Sequence, residues 1–433
     1  MGKFVPTVGK RADLGILEGV EVLRPAHGGT CFAVDSDGKP VFVSHALPGE
    51  IVDVQLTKKR SKVSFGDAIA IHQASEYRQP QIWSVAGPDG VGGADLGHVQ
   101  LAYQREWKAA VIQDQLRRIG GEAVVAAVTK AVGKIEVLPA SADVSGDGLH
   151  SRTRVEFEVS ANGRLAMSKA LSNELVELED MPLAVEAILE LGLLGDSKWQ
   201  RLWRPGKRVR AIAPNGGGRR VVIGNQTFNA SGRRVENFAD WKVSYGDLET
   251  NFSVQSQGFW QAHKSAPQDL VQIVLDEAQV RPGDAVIELF SGAGLFTYFL
   301  GQAAGAEGRL ISIEGSLQAV EDARHNLRGL EVPRDLRVGN VDGKSMSRAW
   351  SDLGERPRVV VLDPPRAGAG AELIRVIGMS GPERVVLVSC DPAAAARDIK
   401  DFLAAGYDLQ NLYALDLFPQ THHVEMVTVF ERA

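Results

Sequence analysis

The residues best placed to do chemistry are one cysteine and two acids. Leu362-Asp363-Pro364-Pro365-Arg366 ends one apolar run, and Arg384-Val-Val-Leu-Val-Ser389 ends another immediately before Cys390-Asp391-Pro392. In an open α/β sheet, reactive groups gather where strands end at their carboxyl edge. The chain has 2 cysteines in 433 residues, too few for a disulfide framework or a four-thiolate metal site. A thiol at a strand end therefore suggests a nucleophile. Most free cysteines are buried packing residues, but Cys390 follows its strand rather than lying within it. The stretch Ala393 to Leu403 reads as a helix, and a thiol near a helix N-terminus is expected to have a depressed pKa. The second acid is Glu425, inside the strand-like run His423-Val-Glu-Met-Val-Thr-Val-Phe430. Burial there would raise its pKa toward the range of a general base. Taken alone, the same acid reads as an edge-strand residue facing water. His422 and His423 resemble a metal pair, yet no cysteine or acid cluster completes a site, and orienting the loop is the expected role.

A thiol, a general base and an acid at a strand end suit carbon alkylation of a pyrimidine. C5 of that ring is a poor nucleophile. A thiolate adding to C6 makes C5 enolate-like, and a base must later remove the C5 proton so that the thiolate can leave. Asp363 ends the strand that faces both cofactor and acceptor in methyltransferases. Amine-methylating enzymes close this slot with an aromatic residue. Arg366 stands there instead, which argues against an amine target.

The cofactor reading rests on Glu288-Leu-Phe-Ser-Gly-Ala-Gly-Leu-Phe-Thr297, a strand running into Gly292-x-Gly294 and then a helix. Glycines let backbone approach a ligand at a tight turn. Each alone is equally well explained by the turn itself. The third glycine of the dinucleotide fingerprint is replaced by Thr297, which disfavours a pyrophosphate grip. Glu314 ends the next strand, where an acid can accept both ribose hydroxyls. An acid at Glu288 would repel a pyrophosphate yet suit a cation. The ordered set Glu288, Gly292, Gly294, Glu314 and Asp363 therefore points to S-adenosylmethionine.

The elements that must position these groups fall into three parts. Residues 1–73 read as five short strands with Asp37-Gly38 and Pro48-Gly49 turns, the pattern of a small OB-type barrel; Cys31 lies inside one strand as a packing residue. Residues 74–250 read as an α+β domain with a helix over Gln100 to Ile119, stopped by Gly120-Gly121, and another near Pro182 to Leu194. Residues 251–433 alternate apolar strands and helices, which implies a parallel sheet covered on both faces. The fold class is thus α/β, with a Rossmann-like C-terminal domain. Net charge is −6, which argues against nucleic acid as a bulk property. Two basic clusters, Lys58 to Lys62 and Arg201 to Arg220, keep RNA open as a partner. No apolar run approaches the ~20 residues of a membrane span, and Met1-Gly2-Lys3-Phe4-Val5-Pro6 has no apolar signal core. Cytoplasmic location follows as the expectation, with no obligate protein partner evident.

These residues resemble those of the RNA (uracil-5-)-methyltransferase family, which makes 5-methyluridine in tRNA and 23S rRNA. The resemblance spans nearly the whole chain. The family's Ser-Cys-Asn-Pro motif appears as Ser389-Cys390-Asp391-Pro392, its Phe-Pro-x-Thr-x-His-x-Glu motif as Phe418 to Glu425, and its Phe-Phe-Gln-x-Asn motif as Phe259-Trp260-Gln261-Ala262-His263. The resemblance implies a TRAM (OB-type) barrel, a central domain and a methyltransferase domain. It implies Cys390 as nucleophile, Glu425 as C5 proton acceptor, and Gln261, Phe290, Glu314 and Asp363 as cofactor or base contacts, with Asn340 reaching the adenine. Many relatives hold an iron–sulfur cluster on four cysteines. Here the matching frame reads Val91-Gly92-Gly93-Ala94, and neither a cluster nor another metal is expected. Two departures stand out: Asp391 places an acid beside the thiol, where it should raise the thiol pKa, and His263 replaces an Asn near the cofactor pocket. The rival readings are methylation of cytosine C5 or a heteroatom, or a non-catalytic RNA-binding protein on the same fold. RNA cytosine-C5 enzymes carry Pro-Cys where this chain has Pro364-Pro365, and loss of Cys390 or Glu425 would have favoured the non-catalytic reading.

Overall fold

Alternating apolar residues close the first strands on themselves. A computed structural model describes residues 14–143, 146–170, 172–195 and 197–433; the start of the chain, Met1 to Pro6 included, lies outside the described residues. β1 (Ile16–Ala26), β2 (Thr30–Val34), β3 (Pro40–Ser44), β4 (Ile51–Lys59) and β5 (Ser64–Gln73) form a closed barrel in the order β1-β2-β3-β5-β4. Along β4, Val52, Val54 and Leu56 point inward while their neighbours face out, the period-2 pattern of a half-buried strand. Cys31 is fully buried among them, as expected of a packing residue.

α1 (Leu101–Gln115) and α2 (Glu122–Val132) follow, joined through a π-helical turn at Leu116–Gly120 and Gly121, whose φ of 83° few other residues adopt. The short strand β6 (Val137–Pro139) comes next. The central sheet has seven strands: β7 (Arg154–Val159), β8 (Leu165–Ser168), β9 (Leu175–Glu177), then β10 (Arg208–Ile212), β11 (Arg220–Ile223), β12 (Gln226–Asn229) and β13 (Arg234–Val235). Only single helical turns, α3 (Glu186–Leu189) and α4 (Ser197–Gln200), interrupt it. The longer helix expected near Pro182 to Leu194 is thus reduced to one turn. A hairpin, β14 (Phe238–Tyr245) and β15 (Leu248–Gln255), leads into the last part.

There β16 (Ala285–Leu289), β17 (Arg309–Glu314), β18 (Arg334–Val338), β19 (Val359–Leu362) and β20 (Arg384–Ser389) run parallel. They alternate with α5 (Ala266–Ala278), α6 (Leu295–Ala304), α7 (Leu317–Asn326), α8 (Gly343–Leu353), α9 (Ala371–Ser380) and α10 (Pro392–Ala404). β21 (Tyr407–Asp416) and β22 (Glu425–Arg432) complete an eight-stranded sheet ordered β18-β17-β16-β19-β20-β22-β21-β6. Val359 to Leu362 and Val385 to Val388 are wholly buried, as strands covered by helices on both faces must be.

The central domain expected over 74–250 is narrower than that span. β6 joins the edge of the eight-stranded sheet beside β21. Ile112, Leu116, Val124 and Val128 of the first two helices pack into the same core as β16, β19 and β20. The β14–β15 hairpin gives Trp241 and Phe252 to the core on the sheet's other face. These short apolar runs, distant in sequence, pack onto the C-terminal sheet because doing so removes their apolar surface from water.

Candidate active site

The sheet order brings together acids that are far apart in sequence. Glu288 and Glu314 lie on the neighbouring strands β16 and β17, and Asp363 directly follows β19. β22 runs antiparallel to β20 with Ser389 opposite Met426. Cys390, one residue past Ser389, and Glu425, one residue before Met426, therefore meet at the same edge. β22 is an interior strand between β20 and β21, and Glu425 is 4% exposed. The edge-strand reading of this acid does not hold.

Burial, and after it the crowding of acids, favours the protonated forms at this edge. Burial, with Asp363 next to it, pushes Glu425 well above the carboxylate range. Asp363 is pushed up to about 7 by burial and by Glu314. Cys390 is half-buried, and its thiol is raised to about 11 by burial, by Glu425 and Asp363, with Arg366 pulling the other way and Asp391 adding to the rise. The depressed thiol expected from the helix N-terminus is thus corrected. Proximity to α10 is outweighed by desolvation and by the carboxyl groups around the sulfur. The direction is the same at all three groups: burial and neighbouring carboxyls favour the protonated form.

Asp391 has a clear structural place. Its Oδ1 accepts from the Ala394 N–H at 2.8 Å, capping α10. Its Oδ2 lies 2.8 Å from Nε2 of His27, in the turn between β1 and β2 of the barrel. Burial works to raise the Asp391 carboxyl, yet the His27 and backbone hydrogen bonds carry it below the usual range. His27 is raised in turn, chiefly by that bond. His263, the other departure, is buried with Nε2 2.8 Å from Asp143 Oδ2, and its Nδ1 accepts from the Ser265 N–H at 3.2 Å just before α5. It ties the loop after β6 to the start of α5.

The residues expected to bind the cofactor are placed as follows. Glu314 Oε2 accepts from the Gly292 N–H at 3.1 Å and Oε1 from the Ser316 N–H at 2.7 Å. A Cβ on Gly292 would meet open space, whereas on Gly294 it would press on Ala323 at 3.3 Å. Gly292 therefore faces the cleft, and Gly294, with φ of 88°, serves the turn into α6 and its packing on α7. Phe290 is held at φ of 62°, its N–H bonded to Ile313 O at 2.8 Å, a left-handed backbone rare outside glycine. Asn340 is exposed in the turn after β18, lining a groove with Ile313, Gly339 and Asp342. Half-buried Gln261 follows Trp260, whose ring packs on Trp241 and Phe252.

Glu288 departs from its expected form. It is 1% exposed, its Oε2 has no hydrogen-bond partner, and burial, aided by Asp363 and Glu314 against the Thr297 hydroxyl, raises it to about 8. In the free protein it is largely a neutral acid at pH 7; an orphaned buried carboxyl fits a site awaiting a cation. Because the folded state binds this proton more tightly than the unfolded chain, stability falls as pH rises from about 4.5 to about 8. Glu288→Gln is expected to melt at the same temperature as wild type near pH 4.5 and higher than wild type at pH 8. Melting curves at the two pH values check the sign.

Sequence reasoning missed the groups that hold the closing loop. Lys108 Nζ on α1 bonds Asp416 Oδ1 at 2.5 Å and Phe418 O at 3.1 Å, with both side chains buried. Gln104, one turn earlier, exchanges bonds with Gln420: its Oε1 accepts from the Gln420 N–H at 2.9 Å, and its Nε2 donates to Gln420 Oε1 at 2.8 Å. His422 takes Asp95 as partner at 2.5 Å, and His423 Nε2 lies 3.2 Å from an Arg366 nitrogen. Each histidine thus has a partner outside its own loop, and no group of three or more metal-binding side chains occurs among the described residues. The signal available for Lys108 and Gln104 was their place, four apart, on the same helix face as Ile112.

Comparison with known proteins bears on this geometry. Residues 18–69 match the TRAM domain, and residues 234–433 match the tRNA (Uracil-5-)-methyltransferase family. An RNA methyltransferase of Bifidobacterium longum, itself uncharacterized, is 34% identical over 431 residues, covering 95% of this chain and 96% of the relative. The chain belongs to the RNA (uracil-5-)-methyltransferase family. Another member of this family, the 23S rRNA (uracil(1939)-C(5))-methyltransferase RlmD of Halomonas elongata, is 29% identical over 450 residues, covering 94% of this chain and 88% of its own length. The Pyrococcus abyssi tRNA (uracil-54, C5)-methyltransferase, solved with S-adenosyl-L-homocysteine, shares the fold. Its TM-score is 0.64 at 18% identity, over 95% of this chain and all of that one. The family is one of S-adenosylmethionine-dependent RNA-modifying enzymes, so the chain is an enzyme with an RNA substrate. Among the described residues no helix is long and apolar enough to cross a membrane.

Proposed function

We propose that this enzyme methylates C5 of a uridine in structured RNA, 23S rRNA or tRNA, with Cys390 as nucleophile and Glu425 as general base. The observation that carries this reading is the Ser389–Met426 register, which sets a thiol and a buried carboxyl face to face at the edge where Asp363 ends its strand. The Cys390 thiol gives up its proton to solvent, the thiolate sulfur bonds to C6 of the ring, and the C5–C6 electron pair moves toward the C4 oxygen. S-adenosylmethionine supplies the methyl group that C5 takes up. Glu425 then removes the C5 proton, the double bond re-forms, and the thiolate leaves. Asp363 lies where it can hold the ring's polar edge. Gln261, Glu288, Phe290, Gly292, Gly294, Glu314, Asn340 and Asp363 are assigned to the cofactor, Glu314 to its ribose hydroxyls. A sulfonium and an ammonium beside Glu288 and Asp363 would offset the crowding of acids that keeps protons on the edge.

Several features support the wider reading. The barrel carries a solvated basic tip at Lys58 to Lys62, which we assign to RNA phosphates. The second cluster is partly neutralised across the central sheet: Arg208 and Arg210 pair with Glu156, and Arg219 with Glu190. Lys58 to Lys62 is the stronger candidate. Val91 and Ala94 of the iron–sulfur frame are buried against Trp83 and Leu183, so apolar side chains fill the frame where relatives hold a cluster. We propose that this enzyme works without one, and in the cytoplasm, where such RNA is found.

The test is tritium release from C5-labelled uridine in RNA with S-adenosylmethionine. Wild type is expected to release label and transfer methyl. Cys390→Ala is expected to fall to background, because C5 is not nucleophilic without the C6 adduct. Release by Cys390→Ala at the wild-type rate would remove the thiol mechanism, and no release by wild type from rRNA or tRNA would remove the proposed activity.

A further inference from the structure

The barrel does more than sit beside the catalytic sheet. Its β1–β2 turn, His27-Gly28-Gly29, enters the edge where Cys390 lies. Gly29 is buried at φ of 74°, and a Cβ there would stand 2.6 Å from Asp95 Oδ2 and 3.1 Å from His422 Nδ1. The turn is seated directly on the Asp95–His422 pair. A cavity of about 80 Å³ lies between His27 and Gly28 on one side and Cys390, Asp391, Arg366 and His423 on the other. His27 spends its Nε2 on Asp391 Oδ2, the one oxygen of that carboxylate that α10 does not cap.

We propose that His27 is a positioning residue for the nucleophile, pairing with Asp391 so that the acid adjoining Cys390 is held away from the sulfur and its charge is cancelled. This rests on Cys390 being the nucleophile. The charge logic is local. The sulfur faces Glu425 and Asp363 from β22 and β19, Arg366 from the loop after β19, and Asp391 from its own chain. Across the cavity stand His423 and the His422–Asp95 pair. Glu425 and Asp363 hold protons at low pH, but Asp391 does not, since its carboxyl lies below the usual range. Its charge therefore opposes the thiolate at every working pH unless a cation answers it. The family motif carries a neutral Asn at this position. This chain has an acid there and a basic partner 364 residues away in sequence, so His27 answers the charge that the departure at Asp391 introduces. The barrel then contributes a group to the catalytic centre as well as a surface for RNA.

The experiment reads the thiol alone, without RNA or cofactor. The full chain is alkylated with iodoacetamide at pH 7.5, and the Cys390 peptide is quantified by mass spectrometry with buried Cys31 as internal control. His27→Ala is expected to slow Cys390 alkylation about tenfold, the effect of one pKa unit. The loss should shrink as pH rises and wild-type His27 itself loses its proton. In an Asp391→Asn background, His27→Ala is expected to change nothing. Wider access to the sulfur would act equally in both backgrounds and cancels in the ratio. Equal rates for wild type and His27→Ala, or the same slowing in both backgrounds, would overturn the proposal. Since no methyl transfer is measured, a chain that obeys this cycle yet methylates no RNA would retain the pairing and lose only the uridine reading.

Discussion

Glu425→Gln is expected to convert the enzyme from a catalyst into a trap. The amide keeps the shape of the side chain but cannot take a proton from C5. Addition of Cys390 and uptake of the methyl group precede that step, so they should still occur. Release of the thiolate should not. Turnover is expected to fall by roughly 10²–10⁴-fold, the usual contribution of a positioned base, while an RNA–protein adduct accumulates to near one per active chain. The adduct should appear on a denaturing gel with labelled RNA, require S-adenosylmethionine, and vanish in Cys390→Ala/Glu425→Gln. Recovery of free RNA only would remove Glu425 from the base role. The geometry favours this outcome over a folding defect. Glu425 is buried, and burial favours its neutral form, whose charge and approximate volume a glutamine reproduces.

The pH dependence of the parent enzyme follows from the same crowding. Cys390 and Glu425 must both lose protons, and burial raises both. Activity should therefore rise with pH through the neutral range.

How much of this was legible in the sequence depends on the range of each interaction. The parallel strands could be read because Val359 to Leu362 and Val385 to Val388 are continuous apolar runs buried on both faces. The glycine turn and Glu314 could be read because one β-α-β unit contains them. The pairing of Cys390 with Glu425 was legible as chemistry, but the interior position of β22 depends on strand order, which spacing does not carry. The thiol is raised rather than depressed because a helix N-terminus is visible locally, while burial of the sulfur and the approach of Glu425 and Asp363 arise only in space. Asp391 looked unexplained for the same reason, its partner being on the barrel. The middle of the chain was hardest to read. The strands of its central sheet are two to six residues long, too short for a period to show, and residues 101–139 pack against a sheet formed from much later chain.

Lys108→Met tests the most expensive contact in the closing loop. Lys108 and Asp416 are both buried, and the pair bridges α1 to the end of β21, just ahead of the loop that leads to Glu425. Asp416 Oδ2 has no other hydrogen-bond partner. Removing the ammonium alone therefore strands a carboxylate in an apolar interior, which costs about 3–5 kcal/mol. The melting temperature should fall accordingly, and Phe418 O loses its donor as well, so the loop bearing His422 and His423 should loosen. The double variant Lys108→Met/Asp416→Leu removes both charges. It should recover most of the lost stability, since a buried pair and a well-packed apolar pair are often close in energy. Its activity should recover less, because stability needs only that no charge be stranded, whereas the Phe418 to Val424 loop needs Lys108 as the donor that fixes its path. A Lys108→Met protein that melts with wild type would mean that the pair carries no stability. A double variant with full activity would mean that Gln104, through its two bonds to Gln420, holds the loop unaided.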